Sequence, residues 1–185
     1  MLPPSQRRDH DRSLRASRFV ERCMEIISLP PGSMILDLPA GTGRHSELFA
    51  RRGHQVTVAD IDPKLVQEAT ARLRADKPYH KGFVIDASAD LPFKDGSYDV
   101  ALIVDFVDEH LLASIARVVR SGGYLIHESY GAKGENWRQL LRTGRTAELL
   151  LPAFEIISYE GRATGPLDRQ SEAVKLLGRR RTKAI

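Results

Sequence analysis

Five acidic residues stand at regular places in this chain: Asp37, Asp60, Asp86, Asp105 and Glu128. Each closes or follows a short apolar run: "MILDL" (Met34 to Leu38), "QVTVAD" (Gln55 to Asp60), "GFVID" (Gly82 to Asp86), "YDVALIV" (Tyr98 to Val104) and "YLIHES" (Tyr124 to Ser129). Carboxylates gathered in this way suit cations and hydroxyl donors and oppose a diphosphate. The first acid is followed by "LPAGTGRHS", in which Gly41 and Gly43 are one residue apart. Glycine has no Cβ, so a backbone built from it can lie close to a ligand. An acid, a bend and two glycines after a buried strand therefore predict a ligand-binding loop.

The elements that position these residues can be read from periodicity. "SLRASRFVERCMEIIS" (Ser13 to Ser28) carries apolar residues at helical spacing and is stopped by "LPPG". Helices are expected over Arg44–Arg52, ending at Gly53, from Asp62-Pro63 to Arg74, and from Asp108 to Arg120. The β-branched runs between them read as strands. Short strands alternating with helices imply a parallel sheet with helices on both faces. Right-handed crossovers bring the strand C-termini to one rim, where such sheets bind ligands. The tail differs: "NWRQLLRTGRTAELL" reads as helical with a break near Gly144. "FEIISYEG" and "SEAVKLLGRRR" follow as strands with no helix between them, so they pair antiparallel. The expected fold is α/β, Rossmann-like and doubly wound: a mostly parallel seven-stranded sheet with an antiparallel C-terminal hairpin strand. Residues 1–12 read as a disordered basic tail. Residues 13–185 read as one domain, with 13–28 a helix that could serve as a lid.

Composition narrows the classes. A chain of 185 residues can bury roughly 70% of its unfolded surface without staples. With one cysteine, Cys23, no internal disulfide and no cysteine-rich metal site is possible, and no metal is expected. The polar start "MLPPSQRRDHDR" is not a signal peptide, and no apolar run reaches the ~20 residues of a membrane helix. A cytoplasmic protein without membrane contact is expected. The formal charge of +4 is concentrated towards the two ends, in the arginines from Arg7 to Arg22 and in "RRRTK" (Arg179 to Lys183); a solvated surface is the plain reading of such runs.

The stretch "ILDLPAGTGRHSELFARRGHQVTVADIDPKLV", continued by "IDASADLPFKDGSYDVALIV", resembles the motifs of class I S-adenosylmethionine (SAM)-dependent methyltransferases. The resemblance spans about Met34 to Glu128, and the tail is similar to small bacterial members of the tellurite-resistance type. It implies SAM as cofactor. Gly41 and Gly43 would make room for its methionine and ribose, and Asp37 would orient the methionine amino group. Pro39 and Ala40 stand where the family has the first part of its glycine loop. Proline has fixed φ and no N–H, leaving carbonyl acceptors there. Asp60 would accept from the ribose hydroxyls, Ile61 would pack on the adenine, and Asp86 and Ala87 would meet its edge. Asp90 competes with Asp86 for that role. Val104 and Asp105 would lie beside the methyl group. Catalytic candidates are His45, Asp105 and Glu128, with Asp108 and His110 further possible bases. Tyr130, after the fifth strand, is a plausible substrate contact, and Trp137 a core residue or a cover of the pocket.

A dinucleotide site is the competing reading. It requires a third glycine where Ser46 stands, and Asp37 would repel a pyrophosphate. For the acceptor, "VDFVDEH" lacks the prolines of exocyclic-amine methylation and Cys23 lies far from a late strand. A small-molecule methyl acceptor is thus expected over nucleic acid. An RNA methyltransferase and a non-catalytic SAM-fold binding protein are the alternatives. The acceptor's identity and the oligomeric state are not legible in the sequence.

Overall fold

The computed structural model describes residues 15–74, 80–129, 138–166 and 170–182. In chain order the elements are α1 (Arg18–Ile26), β1 (Met34–Asp37), α2 (Ser46–Arg51), β2 (Gln55–Asp60), α3 (Pro63–Arg74), β3 (Lys81–Val84), β4 (Tyr98–Val104), α4 (Glu109–Val118), β5 (Val119–Glu128), α5 (Arg145–Leu150), β6 (Phe154–Thr164) and β7 (Ser171–Arg180). The sheet has seven strands in the order β3-β2-β1-β4-β5-β7-β6. The first five are parallel neighbours; β7 runs antiparallel to both β5 and β6. This is the doubly wound sheet with a C-terminal hairpin that the pattern implied.

The strand order reverses between the parallel neighbours β1 and β4, so a crevice opens at their C-terminal ends. Alternation along the strands divides the core. Ile35, Val58, Leu102 and Ile126 face one side with Phe19, Val20 and Cys23 of α1, Phe49 of α2 and Leu73 of α3. Leu36, Ala59, Ile103 and Leu125 face the other, against Leu111, Leu112 and Ile115 of α4 and Leu150 of α5. Each side chain pair in sequence serves opposite faces because strand side chains alternate.

Several boundaries differ from the periodicity reading. α1 begins at Arg18, not Ser13, because Ser17 is extended and caps it by accepting the Phe19 N–H. α4 ends at Val118, and β5 begins directly at Val119. "RSGG" belongs to that strand rather than to a helix end, with Tyr98 of β4 paired to Val119 before a bulge. The hairpin is longer than its apolar part: β6 and β7 stay paired to Thr164 and Ser171. The register of β5 with β7 ends at Glu128 and Lys175, so the hairpin tip extends past the rim. The expected tail of residues 1–12, Tyr130 and Trp137 lie outside the described residues.

Candidate functional site

The glycine loop is fastened to both neighbouring strands. Leu38 N–H donates to the Leu102 carbonyl at 3.1 Å, and Ala40 N–H to the Ala59 carbonyl at 2.8 Å. Pro39, between them, follows a cis peptide bond and is half-buried. The two glycines then do different work. Both have positive φ, 54° at Gly41 and 76° at Gly43. A Cβ on Gly41 would meet nothing within 4 Å, so that position faces open space. A Cβ on Gly43 would stand 2.8 Å from the Ala69 Cβ. Gly43 therefore lets α2 and α3 pack closely, whereas Gly41 alone borders an open cradle.

Beneath the loop lies Asp37, fully buried at the end of β1. Its Oδ2 accepts the Ser46 hydroxyl at 2.6 Å, while its Oδ1 has no hydrogen-bond partner. Burial pushes its pKa up to about 7, against the opposing pull of Ser46 and the Arg44 charge. A buried carboxylate oxygen with no donor is costly, and it marks a place for one. Asp60, at the end of β2, accepts one backbone N–H on each oxygen: Gly41 at 2.9 Å and Asp62 at 3.0 Å. Each oxygen keeps a further lone pair. Asp62 itself accepts from the Lys64 N–H at the start of α3, which leaves Asp60 free of that capping role.

At the same rim, Asp105 follows β4 with φ of 58°, a conformation uncommon outside glycine. Its N–H donates to the Glu128 carbonyl at 2.8 Å, and its carboxylate is paired with the Arg44 guanidinium. Glu128 ends β5 almost fully buried. It accepts the Ser17 hydroxyl from the cap of α1, and Lys175 of β7 lies 3.9 Å away. Burial raises its pKa above the ordinary carboxylate value; Ser17 and Lys175 pull it down, and the charge of Asp105 adds to the rise.

His45 is 3% exposed, with no partner for Nε2. Burial, then Arg44, lowers its pKa to about 3, so the ring is neutral and a weak proton acceptor. On the adjoining slope Ile61 is 65% exposed, a large apolar side chain left uncovered beside Asp60. Asp86 is exposed and accepts the Ser88 N–H and hydroxyl on Oδ1, which lower its pKa. Ala87 is buried next to it. Asp90, the competing acid, is engaged by His110 at 2.9 Å. Val104 is buried at the end of β4, and Asp108 caps α4 through the Leu111 N–H.

The sequence reading missed four groups here: Ser17, Arg44, Ser46 and Lys175. Ser17 carried a local signal, a serine directly before an apolar helical run. The others carried none, since Arg44 meets Asp105 across 61 positions.

Residues 35–123 match the model of a family described as "Methyltransferase domain". The chain is 33% identical to the demethylmenaquinone methyltransferase of Tropheryma whipplei, over 61% of this chain and 48% of that protein. It is 28% identical to the malonyl-[acyl-carrier protein] O-methyltransferase of Serratia marcescens, over 65% of this chain and 49% of that one. It spans about half the length of these curated relatives. In fold it is similar to a TehB-like SAM-dependent methyltransferase from Corynebacterium glutamicum. The TM-score is 0.67 at 20% identity, covering 96% of this chain and 95% of that one. The family model and the curated relatives agree with the resemblance read from the motifs, while for the tail the solved structure shows a likeness of fold alone.

Proposed function

We propose that this chain is a SAM-dependent methyltransferase that carries a methyl group to a small-molecule acceptor. The observation that carries the reading is the unpartnered Oδ1 of Asp37, buried under a loop whose Gly41 faces open space. The residues present fit the cofactor. Asp37 would receive the methionine ammonium, and the free lone pairs of Asp60 would receive the ribose hydroxyls. Ile61 would be covered by adenine, with Asp86 and Ala87 at its edge. Val104 and Asp105 would border the methionine end, with the carbonyls of Pro39 and Ala40 as further acceptors. A dinucleotide fits less well, because a buried acid with one oxygen left unpaired opposes a diphosphate.

When bound, SAM supplies a methyl carbon on a cationic sulfur, open to in-line displacement. The protein's contribution is then placement and exclusion of water. For an acceptor that arrives protonated, Glu128 is the group to take the proton, since burial raises its pKa above the ordinary carboxylate value. Asp105, held by Arg44, would position the acceptor rather than accept its proton. His45, kept neutral, would serve as a hydrogen-bonding wall. α1 would act as the lid: Ser17 holds it to Glu128 and Arg22 to Glu160 of β6. The small-molecule acceptor is supported by the likeness to the demethylmenaquinone methyltransferase.

Calorimetric titration of the protein with SAM, S-adenosylhomocysteine and NADH tests the reading. Saturable binding of the first two, with NADH silent, is expected. Preference for NADH, or no binding of either sulfur compound, would overturn it.

A further inference from the structure

A second cluster of charge lies at the opposite end of the sheet, outside everything the rim explains. At the end of β7, Arg179, Arg180 and Arg181 line a cleft of about 290 Å³ together with Gly122, Glu155 and Thr182. Arg179 and Lys175 are four residues apart along one strand, so the cleft is ~13 Å or more from the rim, at ~3.3 Å per residue.

The three guanidiniums are fixed by carbonyls rather than by acids. Arg179 donates from Nε to the Gly122 carbonyl, and Arg181 from Nε to the Leu151 carbonyl. Arg180 donates to the carbonyls of Ala116 and Ala153 and lies over the Phe154 ring. Among the described residues none of the three is ion-paired with a carboxylate. The nearby acids Asp95 and Asp99 are already taken by Arg117 and Arg120. Glu155 is opposite Arg179 in register, yet forms no ion pair with it. The cleft thus holds three guanidiniums against one carboxylate, in an order that leaves the terminal N–H groups of Arg179 and Arg181 for another acceptor. Adjacent like charges repel each other, and Nε anchoring pre-orients the forks that bind oxyanions in pairs.

We propose that this cleft is a binding site for a phosphate group, seated between the Arg179 and Arg181 guanidiniums, at the end of the sheet away from the glycine loop. A phosphate is favoured over a carboxylate because the surplus of two positive charges matches a dianion. The volume admits a small phosphate compound or one or two linked phosphates of a larger one. The site is separate from methyl transfer, and its occupant does not reach the rim.

The test is a titration with sodium pyrophosphate, in chloride buffer, of wild-type protein, an Arg179→Gln/Arg181→Gln double variant and an Arg51→Gln control. Arg51 is an exposed arginine on α2. Saturable one-to-one binding is expected, weakened at least about tenfold in the double variant by loss of two charge-assisted donors, and unchanged in Arg51→Gln. A parallel titration with a short single-stranded RNA assigns the source. RNA displaced by pyrophosphate identifies a polynucleotide phosphate in this cleft; silent RNA identifies a small phosphate compound. No saturable pyrophosphate binding, or equal binding by the double variant, overturns the proposal. Should the double variant fail to fold, Arg181→Gln alone gives the same test, since Arg181 is exposed beyond the end of β7.

Discussion

At the residue scale, Asp37 is the buried acid on which cofactor binding depends. Its folded-state pKa is raised to about 7 from 3.8. Between those values the unfolded chain has lost the proton and the folded protein keeps it. Stability therefore falls as pH rises from about 4 to about 7 and levels above it, by on the order of 4 kcal/mol. Asp37→Asn is expected to flatten that fall in urea unfolding curves and, at pH 8, to weaken SAM at least about tenfold through loss of a charged hydrogen bond. Wild-type affinity for SAM should decline below pH 7, because the carboxylate must ionise to hold the ammonium. A pH-independent affinity would contradict this role. The glycines give a second prediction. Gly41→Ala is expected to cost ~1–2 kcal/mol through its positive φ and to impair SAM binding. Gly43→Ala adds overpacking against Ala69, about 1–3 kcal/mol more. Chemical denaturation with calorimetry separates the two. The rim acids were legible in the sequence because each ends a local apolar run. Their partners were not, since hydrogen bonds such as Ser17 to Glu128 join positions 111 apart.

At the element scale, Ser17 ties α1 to the rim: it caps the helix and also donates to Glu128. The hydroxyl holds the Glu128 pKa down against burial. Ser17→Ala is expected to raise that pKa, so that Glu128 stays protonated to higher pH. A carboxyl-detected ¹³C NMR titration reads this directly, and an unmoved midpoint would remove Ser17 from the account. Element types were readable from periodicity, whereas boundaries were set by contacts. β5 starts at Val119 because it pairs with Tyr98 across the sheet, an interaction that "RVVRSGG" does not announce. The hairpin runs past its apolar part because Glu172 is held there by Tyr159 and the Gly144 N–H.

At the scale of the whole molecule, the sheet separates two faces of core and two ends of chemistry. The alternating pattern of strands and helices made the parallel sheet legible, and the absence of a helix between β6 and β7 made the antiparallel end legible. The cleft at Arg179–Arg181 was visible only as a charge run, because its other walls, Gly122 and Glu155, come from different strands. Cys23 offers a probe of the whole fold. It is 1% exposed, and burial pushes its thiol up to about 12. Alkylation by iodoacetamide at pH 8 is therefore expected only when the domain opens, with a rate that follows the denaturant unfolding curve. Fast labelling of native protein would show that α1 leaves the sheet independently.

The most direct measurement is a crystal structure with S-adenosylhomocysteine bound. Its amino nitrogen is expected within about 3.2 Å of the Asp37 Oδ1, its ribose hydroxyls on Asp60 and its adenine over Ile61. A ligand bound with its amino group turned away from Asp37, or outside the crevice between β1 and β4, would contradict this placement.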